Sequence, residues 1–287
     1  SMHQTPIPTG AGVLILISCF FIFSSLFLFH PLISLGNTHF FKLILICAPL
    51  CILGFWDDYK NINQKIRYLI QLLTAIFLLI NLNLSNIDFS LTGVLILLFF
   101  LILITGLINF INFMDGIDGL VIGSFVVIFS ALTIKFNVNF IVITSILVLF
   151  LKWNWNPAQL FIGDAGSTFI GAIYAGAIFS SYNYLESLSI LLMSMPLIMD
   201  ATFCLGWRFC NGFNIFDAHN MHLYQRLVKA GFSHENVSYM YIFSIGLISL
   251  FYLIGNIFME VLALGLILLF GIYLNFQFAM PLSKSKS

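Results

Sequence analysis

Apolar runs recur along the chain, and the polar residues between them are gathered into four short interruptions. Runs of about 20 residues match the roughly 30 Å thickness of a hydrocarbon layer, so each predicts a membrane-crossing helix. Ten spans are expected, at about 11–29, 40–56, 66–84, 92–113, 119–134, 138–153, 166–180, 188–207, 237–254 and 260–280. The interruptions read GFWDDYKNINQKIR from Gly54, NFINFMDGIDGL from Asn109, WNWNPAQLFIGDAGS from Trp153, and the stretch from Arg208 to Glu235. The pattern predicts an all-α polytopic membrane protein, with residues 1–287 as one integral membrane domain. The four interruptions, about 54–67, 109–120, 152–168 and 208–236, are its loops.

Composition sharpens this picture. With 61% hydrophobic and 8% charged residues and a mean hydropathy of +1.06, the chain carries few charges. A carboxylate near lipid costs several kcal/mol unless compensated, so acids clustered in four loops imply chemistry. Net charge is +0, so no acidic or basic bias points to a nucleic-acid partner or a polybasic anchor. On the ten-span reading, nine of the eleven basic residues share the motif-bearing side, and only Lys42 and Lys135 fall opposite. The positive-inside rule makes that side cytoplasmic, and an even span count puts both termini there. The five cysteines have no metal-ligand spacing and read as small apolar residues.

Each interruption offers candidate groups. Asp57 and Asp58 reach the membrane surface at the end of a span, followed by Lys60, Lys65 and Arg67, a set that suits a phosphate beside acids or a simple basic flank. Asn112, Asp115 and Asp118 recur every three residues, on one face if helical, while Gly116 and Gly119 permit a tight break. Asp164 lies between Gly163 and Gly166 ahead of a helix, where it is either a cap or a ligand. Together Asp115 and Asp164 supply the carboxylates that Mg²⁺ takes with phosphate oxygens and water; no His/Cys set suggests zinc. His219, His222 and Arg226 could gather around a diphosphate. Gly231 is expected to close one helix and Ser233 to start the next. Asp200 tethers this loop or joins the catalysis.

In order, GFWDDYKN, NFMDGIDGL, NWNPAQLFIGDAGS and DAHNMHLYQRL resemble the polyprenyl-phosphate N-acetylhexosamine-1-phosphate transferases, the bacterial glycosyltransferase family 4 related to phospho-MurNAc-pentapeptide translocase. The HxxH with Tyr-Gln-Arg looks most like the branch that initiates lipopolysaccharide O-antigen. The resemblance implies transfer of a sugar 1-phosphate from a UDP-N-acetylhexosamine to undecaprenyl phosphate, with release of UMP, at the cytoplasmic face of a bacterial inner membrane. It implies Mg²⁺, or Mn²⁺, on Asp115 and Asp164, and Asp57 and Asp58 as catalytic groups at the lipid phosphate. Lys65, Asn112, Asp118, Asn154, Phe161, His219, His222 and Arg226 would contact substrate, with Phe161 stacked on uracil. The partners are the nucleotide sugar, the lipid phosphate and the bilayer, and a homodimer stays open. A phosphate monoester is largely dianionic at pH 7, so a carboxylate of pKa about 3.9 is a poor base toward it; Asp57 orients a Lys or metal water, or forms an aspartyl-phosphate. The family also implies basic residues near a PTPxGGG-like segment and a further span ahead of the first acids. Residues 3–12 keep two prolines and two glycines and have no Lys or Arg. Against an enzyme stand a transporter, which would put acids deep in the spans, and a catalytically impaired relative serving as a scaffold. A lipid-alcohol phosphatidyltransferase would need an Ala-Arg pair after its first Asp-Gly, which DGIDGLVIG lacks.

Overall fold

The structure is a computed structural model that describes residues 7–29, 31–81, 90–181, 183–214 and 219–282. Asp217, Lys284, Lys286 and residues 3–6 of the proline segment lie outside the described residues. Among the described residues the chain is all α: α1 (Gly12–Phe29), α2 (Pro31–Tyr59), α3 (Gln64–Asn81), α4 (Leu91–Phe113), α5 (Leu120–Lys135), α6 (Phe140–Asn154), α7 (Gly163–Ser180), α8 (Tyr184–Met193), α9 (Met195–Cys210), α10 (Leu223–Lys229), α11 (His234–Ile254) and α12 (Ile257–Gln277).

The expectation of about ten membrane spans is corrected. Four described helices are long and apolar enough to cross a membrane: His39–Tyr59, Leu91–Phe113, His234–Ile254 and Ile257–Gln277. A fifth is reached if α8 and α9, bent by 71° at Ser194, count as one broken span. The physical reason is length. Leu120–Lys135 has 16 residues, and at 1.5 Å per residue it spans about 24 Å, short of a layer about 30 Å thick. Phe140–Asn154 is shorter still. An apolar run in the sequence did not distinguish a core helix from a spanning one, and the argument from an even span count falls with the count.

α7 is the centre of the bundle, packed against α1, α2, α3, α4 and α8. Every residue from Ala165 to Ile178 is buried. Small residues make this possible, because neighbouring backbones approach closely where no Cβ intervenes. A Cβ on Gly54 of α2 would lie 2.5 Å from the backbone of Asp164 and Ala165. A Cβ on Gly171 would come within 3.1 Å of Ile108 Cα on α4. α5, packed on α6 and α11, extends the same core with Leu120, Ile122, Phe125, Ile128, Phe129 and Leu132, and Phe125 meets Tyr174 of α7 with ring centroids 5.4 Å apart.

The outer helices expose apolar side chains instead, with Phe258, Leu266, Leu269 and Phe270 of α12 and Leu95 and Phe99 of α4 among them. Each large side chain left in water forgoes about 1.5–3 kcal/mol of burial free energy, whereas lipid removes that loss. The outer faces therefore fit membrane association. Ser90, Ser233 and Asn256 cap α4, α11 and α12 by accepting from Gly93, Asn236 and Met259 N–H groups. Gly231 follows α10 at φ +105°, so the expected stop at Gly231 and start at Ser233 are both found.

Candidate active site

Three helix ends and one guanidinium bring the first and third acid motifs together. α2 ends in the turn that carries Asp57 and Asp58, and after a link of four residues α3 begins and sends Arg67 back toward them. Arg67 Nη1 is 2.6 Å from Asp57 Oδ2, and Nη2 is 3.0 Å from Asp164 Oδ2 in the first turn of α7. Asp57 Oδ1 accepts from the Ile62 N–H at 2.6 Å, which fixes the α2–α3 turn. Asp58 Oδ1 accepts from the Asp164 N–H at 3.1 Å, while its Oδ2 is buried without a hydrogen bond. Gly163, at φ +64°, lets this carboxylate approach, since a Cβ there would collide with it. The glycine thus makes room for Asp58.

The second motif is a turn between α4 and α5. α4 stops at Phe113 and α5 starts at Leu120, so Asn112, Asp115 and Asp118 do not share the helical face that their spacing suggested. Asn112 Oδ1 accepts from Ser167 Oγ of α7 at 2.6 Å. Asp115 is partly exposed. Asp118 is 1% exposed and structural in its contacts: Oδ2 accepts from the Ala158 N–H at 3.0 Å, Oδ1 lies 3.2 Å from His234 Nδ1, and its carbonyl accepts from Ser238 Oγ at 2.6 Å. Asn154 is buried too, accepting from the Gly119 N–H at 3.2 Å and donating to the Leu160 carbonyl at 3.0 Å. Phe161 is buried, and its backbone pairs with Pro8 and Ala11.

The fourth motif joins the others through Tyr224. Its hydroxyl donates to the Phe113 carbonyl at 3.0 Å, in space left by the absent side chain of Gly116. Asp200 is the tether: Oδ1 accepts from the Leu223 N–H at 2.7 Å, and Oδ2 accepts from the Tyr224 N–H at 3.2 Å and the Tyr241 hydroxyl at 2.7 Å. His222 stacks on Tyr224 and Phe113, with centroids 5.8 and 6.2 Å away, and His219 lies 4.9 Å from it. Cys204 of α9 completes a group whose possible ligand atoms all lie within 4.8 Å of one another and could hold a metal ion. The sequence offered no His/Cys set, because residue 204 and residues 219 and 222 meet only when α9 and the loop fold back. Arg226 is not brought to the acids: its guanidinium donates to the Met221 and Met280 carbonyls at 3.1 and 3.0 Å and to Asn275 Oδ1.

Arg67 is the residue that sequence reasoning passed over in favour of Lys65. The two are separated by two residues, or about 200° around a helix, so only one can face the acids. Lys65 is exposed.

Carboxyls this crowded resist ionisation. Burial pushes Asp115 up to about 8, and the charges of Asp164 and Asp58 add to the effect. Burial likewise raises Asp164 to about 6, opposed by Arg67 and reinforced by Asp57 and Asp58. One guanidinium among four carboxyls leaves negative charge uncompensated, and Asp115 and Asp164 offer hard oxygen donors. The set fits a small divalent cation such as Mg²⁺ or Mn²⁺. Burial, with Arg208 and the neighbouring His222 acting the same way, lowers His219 to about 4, so it is a neutral imidazole at pH 7. Beyond these groups, an apolar cavity of about 580 Å³ lies between α9, α11 and α12, lined by Met199, Phe203, Met240, Ile267 and Phe270, with Asp200 and Tyr241 on its wall.

Residues 40–182, which hold all four acids, match glycosyl transferase family 4. The chain is 29% identical over 221 residues to a probable undecaprenyl-phosphate N-acetylglucosaminyl 1-phosphate transferase of Bacillus subtilis, covering 69% of this chain and 61% of that protein. It is 29% identical over 241 residues to a phospho-N-acetylmuramoyl-pentapeptide-transferase of Prochlorococcus marinus, covering 67% and 63%. An undecaprenyl-phosphate alpha-N-acetylglucosaminyl 1-phosphate transferase of Thermotoga maritima is 33% identical over 135 residues, 46% of this chain and 43% of that protein. The chain spans about three fifths of the length of the curated relatives it matches first.

Proposed function

Because the chain belongs to glycosyl transferase family 4, we propose that it transfers an N-acetylhexosamine 1-phosphate from a UDP-sugar to undecaprenyl phosphate and so initiates an O-antigen or related envelope glycan. The observation that carries this reading is the convergence of Asp57, Asp58 and Asp164 about Arg67, beside the Asp115 turn. An oxygen of the lipid phosphate attacks the phosphorus that bears the sugar; the bond from that phosphorus to the bridging oxygen breaks, and the electron pair leaves with UMP. Asp115 and Asp164 would hold Mg²⁺ or Mn²⁺, which supplies charge neutralisation of the diphosphate.

The chain's own residues hold and orient. Asp57 has both oxygens engaged, by Arg67 and Ile62, and the lipid phosphate is largely dianionic at pH 7. Asp57 therefore positions Arg67 and does not act as a base. Lys65, exposed on the first turn of α3, suits a phosphate at the membrane surface. Asn112, which accepts from Ser167, and His219 and His222, which adjoin Tyr224, are the groups we assign to the nucleotide sugar. Asp118, Asn154 and Arg226 keep the loops in shape through buried hydrogen bonds, and Phe161 would have to turn out of its packing to stack on uracil. The apolar cavity suits isoprene units of the lipid. Residues 1–287 act as one catalytic unit in a bacterial inner membrane, and the acid-bearing end, with Lys60, Lys65 and Arg67, faces the cytoplasm.

The test is release of UMP by the purified chain, given polyprenyl phosphate, Mg²⁺ and a panel of UDP-N-acetylhexosamines. UMP release that needs all three supports the reading. A folded chain that releases none with any sugar overturns it and favours the scaffold.

A further inference from the structure

We infer that Cys204, His219 and His222 form a second, soft-metal site that takes Zn²⁺ and, when filled, shuts the transferase down. The donor set argues for it. One sulfur and two imidazoles are a zinc-type set with a position left open, and they are poor ligands for Mg²⁺. The acid cluster is the opposite, all hard oxygen. The two sites are therefore separable by metal chemistry.

The geometry is nearly formed. Cys204 Sγ lies 3.9 Å from His219 Nδ1, and the three ligand atoms lie within 4.8 Å of one another. A tetrahedral zinc with bonds of roughly 2.3 Å to sulfur and 2.0 Å to nitrogen needs about 3.5 Å between those atoms, so the ligands close by less than about 1.5 Å. Two observations point to a ligand beyond mere proximity. His222 is 3% exposed, and its Nδ1 is buried without a hydrogen bond. Asp200 Oδ1 lies 3.9 Å from that nitrogen, beyond hydrogen-bond reach, and sets a negative charge beside the site that favours a bound cation. Binding converts the Cys204 thiol to a thiolate and releases its proton to solvent. The thiolate and Asp200 together offset the two positive charges of the ion, while Arg208, which donates toward Met221 Sδ at 3.6 Å, favours the thiolate and repels the cation. His219 is partly exposed and gives the ion its way in.

Inhibition rests on the transferase reading given above. His219 and His222 adjoin the Asp115 turn through Tyr224 and Phe113. An ion that holds both imidazoles removes them from the diphosphate and draws the loop toward α9.

Titration of the full-length chain in detergent with Co²⁺, a spectroscopic substitute for Zn²⁺, tests the site without any substrate. Wild type is expected to show a near-ultraviolet thiolate-to-cobalt band that Zn²⁺ removes and excess Mg²⁺ does not. Cys204→Ala and Cys204→Ser should lose the band, and Cys210→Ala, which changes the exposed cysteine, should keep it. In the UMP-release assay at saturating Mg²⁺, Zn²⁺ should inhibit wild type reversibly. Cys204→Ala should keep the uninhibited rate and need on the order of 100-fold more Zn²⁺ for the same inhibition. No band in wild type, or a band that survives in both Cys204 variants, overturns the site. A band with Zn²⁺ inhibition equal in wild type and Cys204→Ala overturns the regulation and assigns inhibition to the acids. A band in a chain that transfers no sugar leaves the site standing and defeats the transferase reading alone.

Discussion

Arg67→Gln is the most informative single change, because Arg67 is the one cation in direct contact with the acid cluster among the described residues. At about 3 Å and an effective dielectric near 20, each ion pair is worth roughly 5 kcal/mol of Coulomb energy. The Arg67 and Asp164 side chains are 29% and 32% exposed, so screening and desolvation reduce the net contribution of the bridge to about 2 kcal/mol. Two consequences have opposite signs. The carboxyls become more crowded, so Asp164, already raised to about 6, rises further, and the acid limb of the rate profile moves to higher pH. The same excess negative charge binds a divalent cation more tightly once the protons are gone, so above about pH 8 half-saturation should need less Mg²⁺ than in wild type. Turnover should fall about 10²-fold, the scale of losing a preorganised electrostatic group. UMP release as a function of pH and Mg²⁺ measures both. Unchanged turnover, or a weaker Mg²⁺ requirement that is absent at high pH, would refute the placement of Arg67 among the acids.

Five further outcomes are expected. Asp115→Asn and Asp164→Asn should each lower turnover about 10²-fold or more. In wild type the metal must displace the proton that Asp115 holds up to about 8, so apparent Mg²⁺ affinity should rise about tenfold per pH unit from 6 to 8 and then level off; a flat dependence, by calorimetry or activity, removes Asp115 from the metal shell. The same raised values mean that the metal-free chain is most stable at acid pH and loses stability as pH rises toward 8, which thermal unfolding with and without Mg²⁺ can read. Gly163→Ala should lower turnover at least tenfold by displacing the Asp58 carboxylate and straining a φ of +64°, and wild-type kinetics in that variant would show that Asp58 need not approach α7. Asp57→Asn should show a defect nearly independent of pH, because Asp57 holds Arg67; recovery by pH 8.5 would make it the base after all.

The candidate acids and the helix caps were legible in the sequence where they depended on neighbours along the chain. Asp57–Asp58, the Asp115 turn and Asp164 were singled out because charge is scarce in this composition, and Gly231 and Ser233 because caps are local. What was not legible depended on length and rotation. An apolar run of about 16 residues, such as Leu120–Lys135, serves equally as a core helix or a short span, and burial inside the bundle decides. Arg67 was hidden behind Lys65 because the start of α3 at Gln64 sets which of the two turns inward. Asp118 and Arg226 looked like substrate ligands in one dimension, and their partners at Ala158, His234, Asn275 and Met280 come from distant segments.

The placement of the acid cluster against the first turn of α7 follows from the same scarcity. A cluster of four carboxyls needs rigid support, yet lipid outside the bundle supplies no polar partners. α7 meets this by carrying its one acid at its first turn and small or apolar residues from Ala165 to Ile178, every one of them buried. Gly54 and Gly163 then allow α2 and Asp58 to close on the Asp164 backbone. The cluster is thereby held by the most tightly enclosed helix of the fold while its carboxyls stay at the polar end. A substitution that swells this packing, at Gly54 or Gly171, should act on turnover before it acts on folding. The first atoms to shift would be the Asp164 and Ala165 backbone in one case and α4, which carries Asn112, in the other.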